Sequence, residues 1–397
     1  MNNFEYKVED NNLIIKLSGH IDSFNSVEID KALMESFETN EWNYDSIIID
    51  CDDLQYISSA GLRIILKLKK KVSDVKLINV HPEVYDILDV TGFTDMMDVR
   101  KAFHVIDIEG YELIGKGANG SVYRMSPDMI VKVYHNPDSL ADIDKERELA
   151  RAAFVHGLPT AIPFETVKIA SGGYGSIFEM LNATNCAKAI IRGEKTTDEV
   201  ADIMATLLKQ IHETVIKSDL VPNMKEVALD WVEFLKDYLT AEEYEKLKRM
   251  VSEIEENEHL IHGDFHMRNV MLQNGEVMMI DMDTLSHGDP IFELACIFNA
   301  YIGFPSVGVS DTMTFFGLPE DVCEEVYDKF LHKFLEGKSD EEINAISEKA
   351  SIIGYARIMR RAIRRNALET EEGRAVVDKC HQHISELLAK YDDLKLQ

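Results

Sequence analysis

Positive charge is in short supply in this chain. Lys and Arg together number 42 against 71 Asp and Glu, a formal net charge of −29 at pH 7. Phosphate backbones and anionic bilayers both select basic faces, so neither nucleic acid nor a membrane surface is expected as a partner. Cysteine is scarce. Cys51, Cys186, Cys296, Cys323 and Cys380 stand far apart with no CxxC pair. An odd number without metal spacing predicts reduced thiols and a cytoplasmic setting. The opening Met1-Asn2-Asn3-Phe4-Glu5 has neither a basic segment nor an apolar one, and no apolar run reaches the roughly 18 residues of a membrane span. Internal repeats and low-complexity tracts are also missing. At 397 residues with 45% apolar content, the chain is long enough for two or three domains with sizeable cores. The acid surplus suits a cationic substrate, although solvated surface carboxylates are its commoner cause.

One stretch concentrates chemistry. His262-Gly263-Asp264-Phe265-His266-Met267-Arg268-Asn269 puts a carboxylate five residues before a carboxamide, and Asp281-Met282-Asp283 follows beyond an apolar run. Phosphoryl transfer from a Mg–nucleotide needs such a set: one acid for the acceptor hydroxyl, an amide and a second acid for the metal. Val270 to Leu272 and Val277 to Ile280, around Gln273-Asn274-Gly275-Glu276, predict a hairpin with an Asn-Gly turn. Asn269 and Asp281 then stand at its open ends, near enough to share an ion. Taken singly, each is as readily a turn or capping residue; the set at this spacing is not.

The first hundred residues alternate strand and helix patterns. Phe4 to Val8 and Leu13 to Leu17 read as strands joined through Asp10-Asn11-Asn12. Ser46 to Cys51 and Val75 to Val80 read as buried strands, and Ser26 to Glu38, Ala60 to Val72 and Pro82 to Val90 as helices. This is a small α/β domain. In Tyr56-Ile57-Ser58-Ser59-Ala60-Gly61-Leu62, Ser58 or Ser59 falls at a helix N-cap, where a phosphate would meet free N–H groups; simple capping is the plainer role.

Farther on, Gly115-Lys116-Gly117-Ala118-Asn119-Gly120-Ser121-Val122 lies between two apolar strands, and such glycines let backbone approach phosphate closely. Gly115, Gly117, Gly120 and Val122 are thus candidate nucleotide contacts. Alone the pattern is common in turns. Its context strengthens it: Lys132 interrupts the strand Met129 to Tyr134, and Glu148 follows on a helix spanning Ala141 to Phe154. A Lys132–Glu148 pair would aim the ammonium at phosphates. Glu146 and Glu148 point about 200° apart, so only one can face inward. Glu148 is assigned and Glu146 left to solvent. Strands Phe164 to Ile169 and Tyr174 to Met180 follow, and backbone groups of Glu179 and Leu181 would read an adenine.

The C-terminal third is helical in period: Thr197 to Lys217, Val227 to Leu239, Ala241 to Asn257, Glu320 to Gly337, Asp340 to Arg365 and Glu371 to Lys395. Thr196 and Thr240 read as caps. Arg357, Arg360, Arg361, Arg364 and Arg365 cover one helix face, for which pairing with local acids is preferred over an anion site.

Two resemblances gather these observations. Leu17-Ser18-Gly19-His20-Ile21-Asp22, Ile47-Ile48-Ile49-Asp50, Tyr56 to Leu66 and Pro82 to Gly92 resemble the STAS domain of anti-sigma-factor antagonists. In that family a serine in an Asp-Ser-x-Gly loop is phosphorylated by a partner kinase. The matching residue is Ser59, with Ser58 where the family has Asp. The order of Gly-rich hairpin, strand Lys, helix Glu, hinge, Asp–Asn loop and second Asp resembles the kinase-like fold of the aminoglycoside phosphotransferase and choline kinase group. There the resemblance implies Asp264 as base, Asn269 and Asp281 on Mg²⁺, and Lys132 with Glu148 orienting ATP. The expected architecture is therefore an α/β STAS-like domain (1–104), then an α+β bilobal kinase-like fold with an N-lobe (105–181) and a largely helical C-lobe (182–397). Asp283 has no secure counterpart. Asp289 is expected to cap the next helix, Phe292 to Asn299, and His266 to support the loop by hydrogen bonding.

Only eight positions separate Asp281 from Asp289, too few for a peptide-docking segment, so the expected acceptor is a small hydroxylated, possibly cationic, compound. The rival is a regulatory binding protein whose kinase-like part senses nucleotide or phosphorylates Ser59, with a protein partner at the STAS-like domain.

Overall fold

The computed structural model describes residues 4–9, 11–39, 44–117, 119–215 and 221–396. Asp10 of the first expected connector, Ala118 of the Gly-rich loop, and the end of the expected helix from Thr197, at 216–217, lie outside the described residues. The chain forms two compact units: Met1–Asp107 with Thr166–Gly172, and Ile108–Glu165 with Gly173–Gln397.

The first unit runs β1 (Phe4–Glu9), β2 (Asn12–Ile21), α1 (Ser26–Thr39), β3 (Ser46–Ile57), α2 (Ser59–Lys71), β4 (Val75–Val80), α3 (Pro82–Val90), α4 (Phe93–Met96) and β5 (Asp98–Lys101). Its sheet has the order β1-β2-β3-β4-β5, with β1 antiparallel to β2 and the remaining pairs parallel. Alternation places Leu13, Ile15, Leu17, Ile47, Ile49 and Leu77 in the core. β3 continues past the expected end at Cys51 to Ile57. Leu54 and Ile57 go on burying while Asp52, Asp53, Gln55 and Tyr56 stay exposed, and two register shifts against β2 absorb the broken alternation. The short β6 (Val105–Ile106) pairs in parallel with Lys168 and Ile169 of the later strand Pro163–Ile169.

In the second unit, β7 (Glu112–Lys116), β8 (Gly120–Arg124) and β9 (Met129–Tyr134) form an antiparallel meander. Then come α5 (Leu140–Val155), β10 (Pro163–Ile169) and β11 (Tyr174–Glu179), and β11 pairs antiparallel with β9. Next are β12 (Thr184–Asn185), α6 (Cys186–Ile191), α7 (Thr197–Glu213), α8 (Met224–Phe234), α9 (Ala241–Ser252) and β13 (Leu260–Ile261). The hairpin β14 (Val270–Gln273) and β15 (Glu276–Met279) follows, then β16 (Ser286–His287) and α10 (Pro290–Phe298). Closing the chain are α11 (Phe304–Val307), α12 (Thr312–Phe316), α13 (Glu320–Phe334), α14 (Asp340–Arg364) and α15 (Glu371–Lys390).

Thr196, Thr240 and Ser339 each head a helix with a reciprocal capping box. Pro290–Val307 is long and apolar enough, by length and composition, to cross a membrane, although its apolar residues are interrupted by polar ones; 72% of it is buried inside the helical core. Between α10 and α11, Asn299–Gly303 forms a π turn in which Phe304 N–H reaches Asn299 O. Pro305 explains it: proline lacks the N–H to continue an α ladder and crowds the carbonyl four residues back.

Candidate active site

The Asn-Gly turn forms as expected. Asn274 and Gly275 have φ of 52° and 88°, both left-handed, and β14 and β15 pair from Val270↔Met279 to Gln273↔Glu276. At the open end Ile280 N–H donates to Asn269 O at 3.1 Å, which fixes Asn269 beside Asp281. Asp281 has φ 69°, a left-handed value that non-glycine residues seldom hold, so the surrounding bonds determine it.

Asp264 is partly buried. Asn269 Nδ2 donates to Asp264 O at 3.0 Å and lies 3.5 Å from its Oδ2. The Gly263 backbone is left-handed, φ 78°, and a Cβ there would come 2.7 Å from Thr284 O. Thr284 Oγ1 in turn donates to His262 O at 2.8 Å. His266 packs edge-on to Phe315 and Phe316, with ring centroids 5.1 and 5.9 Å away. Its Nε2 is 3.7 Å from Asp264 Oδ2, and its Nδ1 has no partner among the described residues. The expected hydrogen-bonding brace is therefore a packing brace.

Glu293, which the sequence did not single out, does the bracing. It is fully buried on α10, and its carboxyl accepts from His262 N–H at 2.5 Å and Gly263 N–H at 3.0 Å. Burial pushes its pKa up to about 7 despite those two bonds. Asp289 caps α10, accepting from Ile291 N–H at 2.9 Å.

Lys132 is the hub of the opposite wall. Its ammonium lies 2.8 and 3.0 Å from the two oxygens of Glu146 and 3.0 Å from Asp281 Oδ1. The partner expected from sequence, Glu148, is exposed. The helix phase decides between them: Ile143, Glu146, Leu149, Ala150 and Ala153 form one buried stripe at three- and four-residue spacing. That stripe was present in the sequence and carries Glu146, not Glu148. Tyr134 Oη also donates to Glu146 at 2.6 Å. Burial opposes the Lys132 charge, but Asp281 and Glu146 outweigh it and hold the ammonium above the usual lysine range. Asp283, held by Asn119 Nδ2 at 3.3 Å, is pushed up to about 7, by burial first and by the Asp281 carboxylate second.

In the Gly-rich hairpin, Gly115 pairs with Val122, and Val122 with Lys132. Gly117 N–H donates to Gly120 O at 2.8 Å. A Cβ on Gly120 would sit 2.5 Å from Val133 O, so only glycine fits. Glu179 N–H is spent on Ile162 O at 3.1 Å, so of the backbone groups expected to read an adenine this donor is already engaged. Among the described residues, Leu181 N–H makes no backbone hydrogen bond.

A family model described as "phosphotransferase enzyme family" matches residues 110–315. The chain belongs to that family. A STAS domain model matches residues 3–106. Over 97 residues the chain is 30% identical to a protein described as an anti-sigma factor antagonist, BtrV of Bordetella bronchiseptica, covering 23% of this chain and 81% of that one. Solved structures similar to this phosphotransferase include a thermostable mutant of aminoglycoside phosphotransferase APH(4)-Ia, at 13% identity and TM-score 0.48, over 71% of this chain and 97% of the other. Amicoumacin kinase hAmiN matches at 15% identity and TM-score 0.49, over 78% and 94%. A choline/ethanolamine kinase family protein from Mesorhizobium loti matches at 13% and 0.45, over 70% and 87%. An N-terminal STAS domain thus precedes a kinase-like phosphotransferase domain.

Proposed function

We propose that the protein transfers the γ-phosphoryl group of ATP to a hydroxyl of a small acceptor. The observation carrying this reading is the Lys132 cluster: one ammonium held by Glu146 from α5 and by Asp281 beyond the hairpin, which joins the strand lysine, the helix acid and the second acid in one network. Asp264 takes the acceptor's proton. As the acceptor oxygen bonds to the γ-phosphorus, the bond from that phosphorus to the β,γ-bridging oxygen breaks and ADP leaves. Lys132 orients phosphate oxygens, the backbone of the Gly115–Gly120 loop lies along them, and Glu179 and Leu181 receive the adenine.

Two oxygens remain for a divalent metal. Asn269 spends its Nδ2 on Asp264, which frees its Oδ1, and Asp281 gives Oδ1 to Lys132, which frees its Oδ2. Mg²⁺ there would offset phosphate charge. Five buried, unpaired thiols support a reducing cytoplasm.

Asp264→Asn should abolish transfer, by about three orders of magnitude or more, while nucleotide affinity changes less than about twofold; initial ADP-release rates and nucleotide titration check this. Asp281→Ala should weaken Mg–ATP binding in a metal titration. Unaltered metal dependence would place the ion elsewhere.

A second reading has its own observation. Ser59 is exposed at the first turn of α2, whose N-cap is Ser58, with its side chain accepting from Gly61 N–H at 3.4 Å. A phosphate on Ser59 would meet the helix's free N–H groups, and the modified face would regulate a protein partner. Incubation with labelled Mg–ATP separates the readings: label lost in Ser59→Ala supports self-modification.

A further inference from the structure

The acceptor side of Asp264 is lined by positive, not negative, groups. A cavity of about 30 Å³ opens there, bordered by Asp264, Asn299, Phe304, Arg357 and Arg361 among others. Arg357 and Arg361 stand one turn apart on α14. The sequence favoured local acids as partners for this arginine face. Among the described residues that pairing does not occur: no carboxylate lies within 4 Å of Arg357, Arg360, Arg361, Arg364 or Arg365. Among the described residues, then, none of these five guanidiniums is in a contact ion pair, although the chain has 71 acidic residues.

Aromatic faces hold the two pocket guanidiniums instead. Arg361 lies over the Phe304 ring at 5.5 Å and Arg357 over the Trp231 ring at 5.5 Å. Stacking fixes the plane of a guanidinium and leaves its edge donors free for a ligand. Arg357 commits one amino group to Gly263 O, at 2.9 Å, and to the Cys296 sulfur; Arg361 commits none to a residue described here. Burial works against the Asp264 charge, yet His266, Arg357, His262 and Arg361 offset it, and its carboxyl stays below the usual range. Burial lowers the pKa of both imidazoles, so of these groups the two arginines carry the charge that does not depend on pH.

An independent observation points into the same cavity. Asn299 is 2% exposed, and neither Oδ1 nor Nδ2 has a partner among the described residues. A buried amide with four unused hydrogen-bonding positions is costly unless a ligand or water fills them. It starts the π turn, a distortion frequent at functional sites.

We propose that Arg361, Arg357 and Asn299 form an anion subsite, and that the acceptor is a small hydroxylated anion carrying a carboxylate or a phosphate. The guanidiniums hold its anionic end while its hydroxyl meets Asp264. This rests on the phosphotransfer reading and reverses the cationic acceptor suggested by net charge. Net charge describes the surface, whereas the charges within reach of the hydroxyl select the substrate.

The full-length protein with Mg–ATP tests it, by ADP release with glycerol, glycerate, glycerol phosphate or ethanolamine, which share a primary hydroxyl. Glycerate or glycerol phosphate should raise the rate above the water background, and whichever does so tells carboxylate from phosphate. Arg361→Gln should raise KM for that anion tenfold or more with KM for ATP unchanged, and Arg361→Lys should restore part of it. Preference for glycerol or ethanolamine, or an unchanged KM in Arg361→Gln, overturns the proposal. Should none of the four be turned over, calorimetric titration of glycerate and glycerol phosphate decides. Saturable binding lost in Arg361→Gln supports the subsite, and no binding overturns it. The phosphotransfer reading fails separately, through absence of Mg-dependent, Asp264-dependent ATP hydrolysis in the wild type.

Discussion

Glu146 and Glu148 show what a single residue's surroundings decide. Both are acids on α5, two positions apart, and only the one in the apolar stripe reaches Lys132. Glu146→Gln should reduce ATP turnover on the order of a hundredfold, whereas Glu148→Gln should stay within about twofold, as initial rates will show. The Asp264–Asn269 loop, the Asn-Gly turn and Lys132 were legible because each follows a local rule of spacing or backbone conformation. Glu293 and Arg357 were not, because they act from 30 and 94 positions away, and a distance in sequence leaves no local trace. Glu293 also gives a pH signature. Its folded pKa, about 7, is raised above the ordinary carboxyl value of 4.5. The folded state therefore holds a proton that the unfolded state has lost, and between those two values this group's contribution to stability falls as pH rises. Glu293→Gln should remove that slope, seen as a flatter dependence of Tm on pH.

Elements carry the next level of constraint. Helices with a cap and a clear apolar period, such as α7, α9 and α15, begin where their sequence says they should. The two-residue strands β12, β13 and β16 escaped notice, since two residues display no period and their pairing is set by partners far along the chain. The π turn was signalled by Gly303-Phe304-Pro305 and went unread beneath the apolar run. In the Gly-rich hairpin, Gly120→Ala forces Val133 O aside from 2.5 Å and should cost about 1–3 kcal/mol by chemical denaturation. At α2, Ser58→Ala removes the cap and should cost about 1 kcal/mol.

For the molecule as a whole, the decisive feature is that the STAS core and the helical core share no residue. Calorimetry should therefore resolve two transitions, and Leu33→Ala, at a fully buried site, should lower only one of them by about 2–5 kcal/mol at the level of free energy. Net charge is a weak guide to the acceptor at this scale, because a sum over 397 residues says little about the few around one carboxylate. The N-terminal unit is also not one continuous length of chain. Thr166–Gly172 returns to it, with Lys168 N–H on His104 O and Ala170 N–H on Ile106 O. Anyone who excises the leading segment at residue 107 thus cuts through a stitch. The severed piece carries off β6, the border strand of the six-stranded sheet, and the piece left behind exposes the Lys168 and Ala170 amides with nothing to bind, an open edge that invites self-association. Swapping this N-terminal unit between proteins requires carrying the stitch along or sealing that edge.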